Sequence, residues 1–141
     1  MRSEEGVFEC GDVLLQRGGT LRKARIVYKT FGRLNAARDN VIVYPTSYGA
    51  QHTDIEWLVS PEHCLDPSRY FIVMPNMFTN GLSTSPSNYE NEFPQVTTYD
   101  NVTQQRRLMN ELATGGAEPA CGDSTKPSRL YGVKMSALSA R

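Results

Sequence analysis

The chain has 141 residues, and its 15 Lys and Arg are balanced by 15 Asp and Glu, so the formal net charge is zero. That length holds one domain with one core. Without a surplus of basic residues, electrostatically driven binding to DNA, RNA or an anionic membrane is excluded. The longest apolar runs reach about five residues, far short of the roughly 20 that span a bilayer. The opening Met1-Arg2-Ser3-Glu4-Glu5 is charged and no apolar stretch follows, so no secretory signal is expected and the cytoplasm is the expected location. Cys10, Cys64 and Cys121 form no CxxC pair and are expected as free thiols. The sequon Asn101-Val102-Thr103 reads as a chance match in that setting.

Residues 7–31 predict two strands joined by a tight turn at Gly18-Gly19, where glycine permits the positive φ that hairpins need. Gly32 ends the second arm, and 33–40 is a polar connection. Val41-Ile42-Val43-Tyr44 and Tyr70-Phe71-Ile72-Val73-Met74 are continuous apolar runs, each stopped by a proline. Runs of this kind fit strands covered on both faces, most often parallel ones. The segment between them is long enough for a crossover. It predicts a short helix near 53–58, capped by Thr53 or Asp54, with Trp57 packed on it.

Residues 76–98 have no period and are rich in Asn, Ser, Thr, Gly and Pro, which predicts a long functional or mobile loop at a strand's carboxyl end. In open α/β sheets ligands bind at that end. Residues 100–113 predict a helix, capped by Asp100 or Thr98. Its buried face would carry Val102, Gln105, Met109 and Leu112 with Leu108 beside them, and Arg106, Arg107 and Asn110 would face water. From Thr114 to Ser128 the pattern collapses, and Arg129 to Val133 reads as a short strand. The expected organisation is a partial α/β domain over 1–113 and an irregular tail over 114–141.

Tyr28-Lys29-Thr30-Phe31-Gly32-Arg33-Leu34-Asn35 resembles the Y-x-T-[YF]-G-x-L-N motif of the homoserine O-acetyltransferase family. Asp66-Pro67-Ser68-Arg69-Tyr70-Phe71-Ile72-Val73 resembles that family's D-x-x-[RK]-[YF]-F-[IV]-[IV] motif. Asn76 with Gly81-Leu82-Ser83-Thr84-Ser85-Pro86 resembles its N-x-x-G…S-[ST]-x-P loop, and Tyr99-Asp100-Asn101-Val102 with Gln105 resembles the helix before its nucleophile strand. Tyr44-Pro45-Thr46-Ser47-Tyr48-Gly49 and Asn76-Met77-Phe78 look closer to the broad branch of that family than to its methionine-pathway members. The resemblance implies the amino-terminal half of an α/β-hydrolase fold: an antiparallel edge hairpin, parallel strands and covering helices. It also implies acyl transfer from acetyl-CoA to the hydroxyl of homoserine, or ester cleavage. The agents would be a Ser nucleophile on a G-x-S-x-G elbow, a His base and an Asp, with no bound cofactor or metal.

Measured against that chemistry, much is missing. Laid on the family's elbow, Leu130-Tyr131-Gly132-Val133-Lys134-Met135-Ser136-Ala137 keeps Gly132, Met135 and Ala137. It places Lys134 at the nucleophile position and Ser136 where the second elbow glycine belongs. Two readings stand: a degenerate elbow, or unrelated sequence after Ala113. Either removes the nucleophile, so no catalytic residue is assigned. The histidines, His52 and His63, lie before the 100–113 helix, and His52 is expected as a surface or loop residue without a local partner. Ser47 is the candidate for one backbone N–H of the oxyanion hole, with Gly49 allowing its turn. Glu90 and Glu92 are expected as solvated loop carboxylates. The expected partners are a small-molecule substrate and, through exposed apolar strands with a free edge, other copies of the chain. On this reading the isolated chain is marginally stable.

Overall fold

The computed structural model describes residues 2–47 and 49–114. The sequence expectations for Tyr48, for the tail beyond Thr114, for the 129–133 strand and for Lys134 lie outside the described residues.

Two long strands, β1 (Ser3–Leu14) and β2 (Thr20–Phe31), form the predicted antiparallel hairpin. Gly18 and Gly19 take φ values of 91° and 84° in its turn. The sequence reading began β1 at Val7, but pairing starts at Ser3, opposite Phe31. Bulges on either side of Gly11 bend β1. At the far end Gly32 is required: φ is 78°, and a Cβ there would overlap the carbonyl oxygens of Tyr70 and Pro67.

The chain then enters β3 (Val41–Val43), crosses over through the helical turn α1 (His52–Ile55) and a 3₁₀ turn (Glu56–Leu58), and returns as β4 (Phe71–Pro75). β3 and β4 are adjacent and parallel, as their apolarity predicts. The hairpin joins them through antiparallel β2–β4 pairing, Tyr28 opposite Pro75 and Phe31 opposite Ile72. The sheet order is β1-β2-β4-β3. The crossover helix starts one residue earlier than expected. Gln51 is its cap residue, and Asp54 closes the turn by accepting the Gln51 N–H at 2.8 Å.

The two faces of the sheet are covered by different elements. On one, Phe8, Cys10, Val13, Leu21, Ala24 and Ile26 pack with Phe78 and with Leu108 of the helix α2 (Thr98–Thr114). On the other, Phe31, Ile72 and Met74 pack with Val59, Leu65, Ile55 and Leu58 of the crossover. β4 is therefore covered on both sides. β3 is only half-buried along its length, which corrects the expectation of two equally buried strands. It has a single strand partner among the described residues.

Helix α2 is present, but its buried face is turned from the one predicted. Asn101, Gln104, Gln105, Leu108 and Met109 are buried, while Val102 is exposed. The polar stripe is used: Asn101 Oδ1 accepts the Phe78 N–H at 2.8 Å, and its Nδ2 donates to the Thr97 carbonyl. An asparagine so engaged suits the chance reading of the sequon. Arg107 is likewise no free surface cation; it donates to the Cys10 carbonyl at 3.0 Å and lies over the Phe8 ring. The helix cap is Thr97, which accepts the Asp100 N–H, while Asp100 accepts the Thr97 N–H at 2.8 Å and the Gln16 N–H at 2.9 Å. Burial alone would raise the Asp100 pKa, but these N–H groups and the Thr97 hydroxyl outweigh it and hold the carboxyl below its ordinary value.

Candidate functional site

The carboxyl ends of β3 and β4 lie side by side, and the segments leaving them converge. The parallel ladder runs past Val43, with the Tyr44 N–H donating to the Val73 carbonyl at 2.8 Å and the Thr46 N–H to Pro75 at 3.2 Å. Thr46 is buried, and its hydroxyl accepts the Met77 N–H at 3.0 Å, so the two strand exits are cross-tied. Ser47 comes next and is exposed. Its carbonyl accepts the Ala50 N–H at 3.1 Å, and Gly49, at φ 75°, supplies the left-handed position the turn requires. Among the described residues no hydrogen bond occupies the Ser47 N–H.

The residue after β4 is an organising centre that sequence reasoning named only as part of a motif. Asn76 is fully buried. Its Nδ2 donates to the Val27 carbonyl at 2.8 Å and lies 2.9 Å from His52 Nδ1, while Oδ1 accepts the His52 N–H at 3.1 Å and Asn80 Nδ2 at 2.9 Å. One side-chain amide thus joins β2, the first turn of α1 and the loop after β4. Such a buried group is costly to disturb, because the His52 N–H and Nδ1 would be left unpaired.

The loop over 76–97 is not structureless. Ser83 Oγ accepts the Val27 N–H at 3.0 Å, Thr84 Oγ1 accepts the Arg25 N–H at 2.8 Å, and the Thr84 N–H donates to the Arg25 carbonyl. Where β4 ends, hydroxyl side chains satisfy the edge of β2 in its place. Ser83 and Thr84 are buried for that reason, and the buried Ser85 hydroxyl braces the loop by accepting the Gly81 N–H and donating to the Ser83 carbonyl. The signal in the sequence was their clustering after a buried strand. A period-based reading passes over it, because the ladder is built partly from side chains.

His52 contradicts the expectation of a surface histidine without a partner: it is buried. Because the Asn76 amide orientation is set by its other partners, Nδ1 is the acceptor and the proton sits on Nε2. That N–H has no hydrogen-bond partner among the described residues and stands 3.6 Å from both Glu5 Oε1 and Glu56 Oε1. Lys29 Nζ completes the cluster, 2.8 Å from Glu56 and 3.4 Å from Glu5. The hydrogen bond that Lys29 donates to Glu56 raises the Lys29 pKa despite its burial. The cluster ties β1 and β2 to the crossover. His63 is exposed, edge-on to Trp57 at 6.0 Å between ring centroids. Trp57 itself is 68% exposed, so the expectation that it packs into the crossover is wrong. Glu90 and Glu92 are exposed, as loop carboxylates should be. Cys10 is buried and its thiol is pushed up to about 12 by desolvation, which makes it unreactive, while Cys64 is exposed. Among the described residues no cluster of His, Cys, Asp or Glu is arranged to hold a metal ion.

No family model matches the chain. It is 37% identical over 108 residues to a protein of Corynebacterium glutamicum named as a probable esterase, covering 72% of this chain and 31% of that protein. It is 32% identical over 123 residues to the homoserine O-acetyltransferase of Methanococcus vannielii, covering 72% of this chain and 25% of that enzyme. The solved structure of an acetylester hydrolase from Corynebacterium glutamicum superposes with a TM-score of 0.71 at 35% identity, over 77% of this chain and 33% of that one. This chain belongs to the homoserine O-acetyltransferase and esterase group of the α/β-hydrolase fold.

It spans about a third or less of the length of these relatives. Within this α/β-hydrolase scaffold, the described residues supply the hairpin, the first parallel pair and the converging exits at Ser47 and Asn76. The expected fold class is therefore correct. Among the described residues no helix is long and apolar enough to cross a membrane.

Proposed function

We propose that this chain carries the loop side of an acyl-transfer or ester-cleavage site and holds no catalytic triad of its own. The reaction it derives from moves an acyl group from acetyl-CoA to a hydroxyl, that of homoserine or of water, through a serine ester. Its small-molecule substrates would bind where the exits of β3 and β4 meet. Ser47 is the contribution this chain makes: an unoccupied backbone N–H, held at the strand end by the Thr46 and Gly49 turn, suits one donor of an oxyanion hole.

The observation that carries the inactive reading is the state of the histidines. A general base needs a ring nitrogen free to take the nucleophile's proton. His52 has Nδ1 engaged by Asn76 and directs Nε2 at Glu5 and Glu56. His63 lies exposed against Trp57. Lys134, on the nucleophile position of the elbow alignment, cannot form an acyl ester, and a water-exposed lysine amine is protonated at neutral pH. The tail over 114–141, read as irregular sequence or as a degenerate elbow, adds no triad member. On the same reading the protein resides in the cytoplasm. A second reading, a non-catalytic interaction module that self-associates, is favoured by one observation: β3 has a single strand partner among the described residues.

The test is turnover by the full chain of acetyl-CoA with homoserine, and of p-nitrophenyl acetate. The expected rate equals that of a heat-treated sample, since loss of a Ser–His unit removes on the order of 10⁶ in rate. Saturable turnover abolished by heating would overturn the proposal.

A further inference from the structure

We propose that Asn80 is a positioning residue for the Ser47 N–H: its side-chain amide carries the fixed geometry of the buried end of β4 out to the exposed turn that presents that donor. This role rests on the reading of Ser47 as one donor of an oxyanion hole, and it adds what holds the donor in place.

The turn needs such a hold. An oxyanion donor works only when it is preorganised, about 2.7–3.1 Å from the place the developing charge will occupy. Ser47 is exposed, and the turn is closed on itself by the Ala50 N–H on the Ser47 carbonyl. One hydrogen bond in contact with water fixes a turn weakly. Gly49 adds freedom, since it has no Cβ to narrow its conformations at φ 75°. At its start the turn is tied down by Thr46, whose N–H donates to Pro75 and whose hydroxyl accepts from Met77.

At its end the tie is Asn80. Its Nδ2 donates to the Ala50 carbonyl at 3.1 Å and to Asn76 Oδ1 at 2.9 Å. Its Oδ1 accepts the Leu82 N–H at 3.1 Å and the Ser83 N–H at 3.4 Å. Gln51 Nε2 adds a longer bond to the Asn80 carbonyl, at 3.4 Å. These partners settle the orientation of the amide: turned over, it would set its donors against two N–H groups and its acceptor against two oxygens. Asn76 Oδ1 is fixed in turn by the His52 N–H, and Asn76 is fully buried. An unbroken line of hydrogen bonds therefore runs from the buried Asn76 through Asn80 to Ala50 and the Ser47 carbonyl.

Asn80→Asp divides the two halves of this side chain. It keeps an acceptor for Leu82 and Ser83 and loses both donors. The introduced carboxylate faces two acceptors, the Ala50 carbonyl and Asn76 Oδ1, so the turn is released while the loop after β4 stays braced. Acid returns one donor by protonating that carboxyl, near about pH 4 where such a group ordinarily titrates. A residue that only braced its own loop would show neither the split nor the recovery.

The experiment is amide hydrogen exchange and ¹H–¹⁵N resonance mapping on the full chain and on Asn80→Asp. At neutral pH the Ala50 amide of the variant exchanges about tenfold faster than that of the parent and the Ser47 resonance moves, while Leu82 and Ser83 stay close to their parent rates. Toward acid both differences from the parent shrink. In the unaltered chain the Asn80 side-chain amide protons exchange about tenfold more slowly than those of the exposed Asn110. The proposal fails if Ala50 and Ser47 are unchanged in the variant, or if their differences persist undiminished in acid. It also fails if Ala50, Leu82 and the buried Val73 all accelerate by one common factor, which would be a general loss of stability. Should Asn80→Asp not fold, the side-chain exchange in the unaltered chain decides, and rates equal to those of Asn110 overturn the role. Turnover by the unaltered chain would overturn the proposed function and leave these readings as they are, so the two fail separately.

Discussion

β3 and β4 look alike as sequence and differ as structure. Each is an apolar run stopped by proline, yet Ile72, Val73 and Met74 are 0% exposed whereas every residue of β3 is half-buried. β4 lies between two strands and under two covering layers; among the described residues β3 lies beside one strand. An apolar run records how much burial a segment can use, and its neighbours decide how much it receives. The loops that follow continue the contrast. Asn76 locks the exit of β4 with contacts to three segments, and Ser47 leaves the exit of β3 exposed, with its N–H unoccupied among the described residues.

The sharpest way to break this comparison is to shorten one isoleucine in each strand. Ile72→Ala should cost about 3–5 kcal/mol, because a buried site leaves a cavity, and Ile42→Ala about half of that. Urea denaturation midpoints at constant slope measure both. Equal losses would mean that β3 is as well covered as β4.

The next effect lies at the exits. Asn76→Ala should cost about 3 kcal/mol by leaving the His52 N–H and His52 Nδ1 unpaired and by removing one of the two N–H groups donated to the Val27 carbonyl. Asn76→Asp should fail to rescue it, since two of those partners need a donor. Ser47→Ala keeps the backbone N–H and should leave stability within about 0.5 kcal/mol. Loss of stability in Ser47→Ala comparable to that in Asn76→Ala would erase the distinction between locked and open exits.

Smaller still is the helix cap. Asp100→Asn should cost about 1 kcal/mol at neutral pH. The folded pKa of Asp100 lies below its unfolded value, so its contribution is complete above about pH 4 and fades as pH falls through the folded value. Unfolding curves of Asp100→Asn and the parent should therefore converge in acid; a gap that persists to the lowest pH would remove the carboxylate from the account. Trp57→Ser should change stability by less than about 0.5 kcal/mol, as befits an exposed ring.

The sheet was largely legible because its signals are local: two-sided apolarity marked β3 and β4, and Gly18-Gly19 marked the hairpin. The site was less so. His52, Asn76, Ser83 and Thr84 are separated in sequence and meet only where β4 ends, so no period announces them. Helix α2 was misread in its facing because it buries Asn101 and Gln104, polar side chains that a hydrophobic count assigns to water. Trp57 was misread the other way, since a large aromatic is expected inside and this one is not.

The central claim is that this chain keeps the scaffold of an acyl site without its nucleophile. Intact-mass measurement after incubation with p-nitrophenyl acetate tests it most directly. The account predicts no acetyl adduct on the folded chain beyond the scattered labelling that the denatured chain also takes up. One stoichiometric acetyl group on a serine, formed by the folded chain alone and released on standing, would contradict it.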